Sequence, residues 1–269
     1  MTTNRFIFEE IIDTEAIKKE KKTDFKSLFK DKLVSVVIPL YNEEKTIRRV
    51  LKEIPNHGNY EIILVNDGST DNSIKEVKKV SRNDLKIINH EKNRGYGASI
   101  LTGFKHAKGD IILTLDSDGQ HDPREIPKLI KSILKNDADI IVGSRYLGSC
   151  YYFIPFYTRV GEFFIYLCLK YLFGLNIGNN QSGFRAFKKN TLRYFTKMRN
   201  KGMGFTTEIL FKSGLHKIRV KEVPIRVFPR KFGFSYVKLF KILNSISSCF
   251  LYYFIKKIFR LKDYSIKRK

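Results

Sequence analysis

The sequence predicts an α/β fold, a mostly parallel sheet flanked by helices. Three observations carry that expectation. From Leu33 onward, short runs rich in Val, Ile and Leu alternate with amphipathic stretches of helical period. The apolar runs end in clusters of Asp, Asn, Gly and Ser, the residues that make turns. The 269 residues, 42% of them hydrophobic, are enough for one large α/β core with an appendage.

Residues 1–32 read as a polar N-terminal extension, with Lys18, Lys19, Lys21 and Lys22 in a charged cluster. "LVSVVIPL" is the first buried strand, and "NEEKTIRRVLKEI" the first helix, with Ile47, Val50, Leu51 and Ile54 on one face. "YEIILVND" and "STDNSIKEVKKVS" repeat the pair, as do "LKIINH" and "YGASILTGFKHA". "DIILTLDSD" is the fourth strand; a helix over about 123–136 and the strand "ADIIVGSR" follow. Strands alternating with helices argue for parallel pairing with both faces covered. The domain so defined spans 33–235. It includes an amphipathic segment at 151–175, and a basic amphipathic tail follows at 236–269.

In such sheets ligands collect outside the carboxyl ends of the strands. The first strand ends in Pro39, Tyr41, Asn42 and Glu43, and the second in Asn66, Asp67, Gly68 and Ser69. The third leads to Asn93, Arg94 and Gly95, the fourth to Asp116, Asp118 and Gln120, and the fifth to Ser144 and Arg145. Acids, amides and arginines on one rim suit a metal-bound, phosphorylated ligand. Asp116 and Asp118 repel each other unless a cation lies between them, and hard carboxylate oxygens suit Mg2+ or Mn2+. The same pair, followed by Gly119, is also ordinary turn chemistry at a strand end.

Charge points to an anionic partner: 51 Lys and Arg stand against 27 Asp and Glu. Residues 224–269 hold twelve Lys and Arg and one acid, Asp263, a net +11 of the chain's +24. No window offers the roughly 20 apolar residues of a spanning helix. The N-terminal stretch lacks the apolar core of a signal peptide, and Cys150, Cys168 and Cys249 have neither metal-type spacing nor a disulfide pattern. The expected location is therefore cytoplasmic. In "VKLFKILNSISSCFLYYFIKKIFR", Lys238, Lys241, Ser245, Ser248, Tyr252 and Lys256 form a polar stripe, with Phe and Ile on other faces. "YTRVGEFFIYLCLKYLFG" has the same character, and both fit an anionic membrane surface, the catalytic domain or a membrane partner subunit.

"VIPLYNEE", "LVNDGSTDNS" and "TLDSDGQHDP", in this order, resemble the family 2 glycosyltransferases with a GT-A (Rossmann-like) fold, over about Leu33 to Ser235. "NRGYGASILTGFKHAKGDII", "IIVGSRY" and "NQSGFRAFKK" narrow the resemblance to the dolichyl-phosphate mannose synthase-like group. The resemblance implies a metal-dependent, inverting transfer of sugar from a nucleotide-sugar donor of the GDP-mannose or UDP-glucose/GlcNAc type. The implied acceptor is a polyprenyl phosphate, used by an enzyme peripheral on the inner face of the cell membrane. It further implies that Pro39, Tyr41 and Glu43 border the nucleoside pocket and that Asp67 contacts base or ribose. Asp116, Asp118 and Gln120 would hold Mg2+ or Mn2+ on the diphosphate, and Arg145, Arg159 and Arg230 would engage lipid phosphate and diphosphate. Gln181, Ser182 and Gly183 would shape the sugar side.

Two positions depart from the group: Phe163 replaces a small hydroxyl one turn after Arg159, and Tyr236 replaces a Lys, with Lys238 two residues on. An alternative within the family is transfer to a hydroxyl of a soluble saccharide or protein, which needs a base, for which Glu208 is the candidate. A nucleic-acid partner is not expected, because the acidic rim would repel a phosphate backbone and no binding module accompanies the basic residues.

Overall fold

In the computed structural model, residues 32–56, 59–135, 137–232 and 239–259 are described. Residues 1–31 of the expected extension, Tyr236, Lys238 and the end of the tail lie outside them.

Seven strands form one sheet: β1 (Val34–Leu40), β2 (Tyr60–Asn66), β3 (Leu85–Asn89), β4 (Ile111–Thr114), β5 (Ile140–Cys150), β6 (Arg185–Lys188) and β7 (Val220–Val227). Their spatial order is β3-β2-β1-β4-β6-β5-β7. β1 pairs in parallel with β2 and β4, β2 with β3, and β5 with β7. β6 runs antiparallel between β4 and β5, so the sheet is mixed and mostly parallel. All seven residues of β1 are buried, as a central strand covered on both faces requires.

The helices are α1 (Ile47–Glu53), α2 (Ser73–Lys78), α3 (Tyr96–His106), α4 (Ile126–Leu134), α5 (Phe156–Leu167), α6 (Phe205–Leu215) and α7 (Leu239–Ile258). The two-residue period of the strands divides the core between them. Val34, Val36, Ile38 and Leu40 pack with Val50 and Leu51 of α1, Val77 of α2 and Leu129 and Ile130 of α4. Val37, Ile63 and Val65 pack on the other face with Phe104 of α3, Ile209 and Leu210 of α6, and Ile246, Cys249 and Tyr253 of α7. The tail helix thus shares the core of the sheet domain, while its Leu251, Ile255 and Ile258 remain exposed.

Two strands go beyond the sequence expectation. β6 and β7 complete the sheet on the side of Arg145, and the pairing of β5 with β7 shifts register between Ser144 and Ser149. This bulge carries Arg145 and Tyr146 off the regular ladder. Bulges re-aim side chains in this way beside functional sites.

Candidate active site

The carboxyl ends of β1, β2 and β4 open on one crevice. Asn42, just past β1, adopts a left-handed conformation (φ 55°), which Asn tolerates. Its Oδ1 accepts from the Thr70 amide at 2.8 Å and its own amide donates to Ser69 Oγ at 3.1 Å, tying the turns after β1 and β2 together. Pro39 is buried within β1 and Tyr41 is half-buried beside the turn. The buried Glu43 carboxylate is ion-paired with Arg230 and accepts from Thr46 Oγ1 at 3.2 Å. Burial pushes its carboxyl up to about 7, against the pull of Arg230 and with a further push from the Asp118 charge.

Asp67 has a task that its position alone did not disclose. It is buried, and it accepts from the Arg94 amide at 2.9 Å and the Gly95 amide at 2.8 Å, with His90 Nδ1 at 2.7 Å. Its carboxylate therefore anchors the turn that opens α3. Gly95 has φ +97°, and a Cβ there would lie 2.6 Å from the Lys201 carbonyl oxygen, so this turn requires glycine.

Asp116 follows β4 with its side chain 25% exposed. Tyr96 donates its hydroxyl to Oδ1 at 3.0 Å, and His121 Nδ1 lies 3.6 Å from Oδ2. Burial pushes the Asp116 carboxyl up against the pull of His121, and the Asp118 charge adds to the rise. Asp118 Oδ1 accepts from the Gln120 amide at 3.0 Å, and Arg230 Nη1 lies 3.8 Å from Oδ2. The acidic turn is held from below by Thr46 Oγ1 on the Ser117 carbonyl (2.8 Å) and Arg49 Nη2 on the Gly119 carbonyl (3.2 Å). Gln120 donates its side-chain amide to the Phe228 carbonyl at 3.2 Å, and the Phe228 amide donates back to the Gln120 carbonyl at 2.8 Å. This exchange brings the segment bearing Arg230 beside Asp118.

Further along the rim, past β6, Arg145 forms a second cluster. Its Nη1 donates to the Tyr152 hydroxyl at 3.0 Å and its Nη2 to Glu162 of α5 at 2.5 Å. Arg159 is exposed on α5, where Phe156, Tyr157, Val160, Phe163 and Phe164 are also exposed. The structure therefore brings Glu43, Asp118, Gln120 and Arg230 together, with Asp116 beside them. It puts Arg145 in a neighbouring cluster and Arg159 on the open face of a helix. Glu208 is fully buried and accepts from the Arg199 and Asn200 amides at 2.8 and 2.7 Å and from the Tyr253 hydroxyl at 2.8 Å. So bound, it ties the Arg199–Asn200 turn to the tail helix.

A family model described as glycosyl transferase family 2 matches residues 35–215. The chain belongs to this family. It is a glycosyltransferase with a GT-A-like fold. It is 33% identical over 224 residues to a UDP-N-acetylglucosamine–dolichyl-phosphate N-acetylglucosaminyltransferase of Methanococcus voltae, an alignment covering 76% of this chain and 89% of that protein. It is 35% identical over 225 residues to a dolichol-phosphate mannosyltransferase of Pyrococcus furiosus, covering 79% of this chain and 62% of the relative. Among solved structures, glucosyl-3-phosphoglycerate synthase of Mycobacterium tuberculosis, in complex with Mn2+, UDP and glucosyl-3-phosphoglycerate, superposes with a TM-score of 0.66. That match has 19% identity and covers 90% of this chain and 85% of the other, a likeness of fold.

Among the described residues no three His, Cys, Asp or Glu side chains converge as a ready-made metal cage. The donors present in this glycosyltransferase are Asp116, Asp118 and the Gln120 amide oxygen. They fit an ion such as Mg2+, which takes one or two carboxylates and completes its shell with substrate phosphates and water. Two observations support the fit. A Cβ at position 183 would lie 2.3 and 2.5 Å from the Asp116 oxygens, so Gly183 keeps space open around that carboxylate. His121 Nδ1 is buried without a hydrogen-bond partner while facing Asp116. Tyr96 and the role of Gly183 beside Asp116 escaped the sequence reading. Gly-Phe-Arg in "QSGFRAF" was a signal, but nothing local told which carboxylate the glycine accommodates.

Proposed function

We propose that this glycosyltransferase moves a sugar from a nucleotide-sugar donor to a polyprenyl phosphate. The observation that carries the reading is the order of groups along the rim. The paired aspartates with Arg230 stand at the end of β4, then Arg145 beyond β6, then a helix with an exposed aromatic face. A donor diphosphate, an acceptor phosphate and an apolar chain need these surfaces in this sequence. The relatives in Methanococcus voltae and Pyrococcus furiosus, named for dolichyl and dolichol phosphate acceptors, support it.

A divalent ion held by Asp116, Asp118 and Gln120 would supply positive charge against the diphosphate as it leaves. Arg230, steered by Glu43 toward Asp118, meets the same developing charge with a guanidinium fork. Arg145 binds the acceptor phosphate, and Pro39 and Tyr41 border the nucleoside. Arg159, one face of α5 away, gathers anionic headgroups. A lipid phosphate is already ionised near neutral pH, so direct attack on the anomeric carbon requires no strong base. The engagement of Glu208 by three donors agrees with that economy. In-line displacement inverts the anomeric centre, so an α-linked donor gives a β-linked lipid phosphate. The protein would act as a peripheral enzyme on the cytoplasmic membrane face; no helix of the described residues is long and apolar enough to cross a membrane.

The test incubates purified protein with polyprenyl phosphate, labelled GDP- and UDP-sugars, and Mg2+ or Mn2+, then counts the organic phase. Label should enter it with wild type and metal, and fall by at least about a hundredfold for Asp118→Ala. Label that stays aqueous across the whole panel, with nucleotide sugar still bound, would refute a lipid-phosphate acceptor.

A further inference from the structure

The position assigned to the acceptor phosphate already holds a carboxylate. Arg145 lies in the bulge of β5 with its guanidinium largely shielded from solvent. Tyr152 and Glu162 take its two terminal nitrogens, the Tyr146 ring lies 5.3 Å from its central carbon, and Nε is buried with no hydrogen-bond partner. The second oxygen of Glu162 accepts from the Tyr146 hydroxyl. A pair built purely to hold the fold would satisfy the buried Nε–H as well. One donor here is left waiting.

Glu162 also comes from an unusual helix. α5 buries just Glu162 and Ile165, and its Phe156, Tyr157, Phe163 and Phe164 face solvent. Besides Ile165 and the hold of Arg145 and Tyr146 on Glu162, two further side-chain contacts tether it. Asn180 Nδ2 donates to the Glu162 carbonyl at 2.9 Å, and the Tyr166 hydroxyl donates to Asn176 Oδ1 at 3.1 Å. A phosphate that forks across the free Nε and Nη2 takes the nitrogen that Glu162 now holds, so the two anions compete for Arg145.

We propose that Glu162 is a specificity-determining residue: a built-in carboxylate that the acceptor phosphate must displace from Arg145. The inference rests on the reading of Arg145 as the acceptor-phosphate ligand. Displacement leaves Glu162 without its cation, a cost that a small phosphate cannot offset. A polyprenyl phosphate offsets it, because its chain covers the exposed aromatic residues of the same helix. The device thus rejects free phosphate and soluble phosphorylated compounds while admitting a phosphate attached to a lipid.

The experiment compares full-length wild type, Glu162→Gln and Tyr146→Phe. Inorganic phosphate is titrated against each by thermal shift, and KM is measured for polyprenyl phosphate and for the nucleotide sugar. Glu162→Gln is expected to bind inorganic phosphate about tenfold more tightly than wild type and to lower the acceptor KM several-fold, with donor KM unchanged. Adding Arg145→Gln should abolish the gain in phosphate binding. Tyr146→Phe, which releases one hold on the carboxylate, should move both quantities the same way by a smaller factor, and it carries the test if Glu162→Gln does not fold. Unchanged phosphate affinity, or a raised acceptor KM, would mean that Glu162 merely orients Arg145 and would overturn the proposal. The phosphate titration needs no turnover. A wild type that glycosylates no polyprenyl phosphate therefore counts against the proposed function, and this inference is still decided by the titration.

Discussion

Gly183 and Asp116 show how tightly the acidic turn is built at the scale of single residues. A methyl group at position 183 would meet both carboxylate oxygens well inside contact distance, so Gly183→Ala must turn the Asp116 side chain away. Transfer is expected to fall by about a hundredfold or more with the melting temperature little changed, since the strain is relieved by one exposed-edge side chain. Glu43 yields a pH prediction. Its folded pKa, about 7, lies above the unfolded value of 4.5, so the folded state keeps a proton that the unfolded state releases. Stability from this group is present below pH 4.5 and is lost as pH rises to about 7. Glu43→Gln, which stays neutral, should gain about 2 kcal/mol relative to wild type between pH 5 and pH 8, read from denaturant midpoints. A constant difference would contradict the assigned burial. Asp116, Asp118 and Glu43 were legible in the sequence because strand ends in a parallel sheet converge by topology. Tyr96 on Asp116, Arg230 on Glu43 and Glu162 on Arg145 were not, because each pairing depends on how separate segments fold over the rim.

Among elements, legibility followed burial. β1, β2 and β4 are enclosed strands and read as largely apolar runs, whereas β7 is an edge strand interrupted by Pro224 and charged at Lys221, Glu222 and Arg226, so no such run marks it. β6 has four residues, too few for a period to emerge. The tail helix was legible as amphipathic, yet its buried face, with Ile246, Cys249 and Tyr253, was not the face that its lysine stripe suggested. α7 is locked to the domain by Tyr253 on Glu208, by Ser245 on Asn200, and by Arg199 stacked 4.2 Å from the Tyr252 ring. The same loop offers the Lys201 carbonyl to the Ala98 amide at 3.1 Å, which supports the first turn of α3 near Asp67. Glu208→Gln would set an amide NH2 against one of three donors in a dry site. It should cost on the order of 2 kcal/mol, seen as a lower urea midpoint with unchanged m. A variant as stable as wild type would show that the clamp holds nothing.

For the molecule as a whole, the net charge of +24 and the exposed aromatic face of α5 would be two separable attractions to the anionic bilayer of the proposed function. Charge acts over a Debye length, which shrinks from about 10 Å at 0.1 M salt to about 3 Å at 1 M. Aromatic insertion is indifferent to that change, and each Phe contributes up to roughly 1.5–3 kcal/mol when fully buried. Wild type should therefore bind vesicles containing anionic lipid at low salt, and retain a weaker, salt-resistant component at 1 M. The triple variant Phe156→Ser, Phe163→Ser and Phe164→Ser should lose that residual component and bind at least roughly tenfold more weakly at low salt. Phe163 stands where the resembled group carries a small hydroxyl, so at this position the chain has an apolar contact in place of a polar one. If the triple variant floats with vesicles as wild type does at both salt concentrations, α5 lies away from the bilayer. The apolar stripe of Leu251, Ile255 and Ile258 on α7 would then be the surface that meets it.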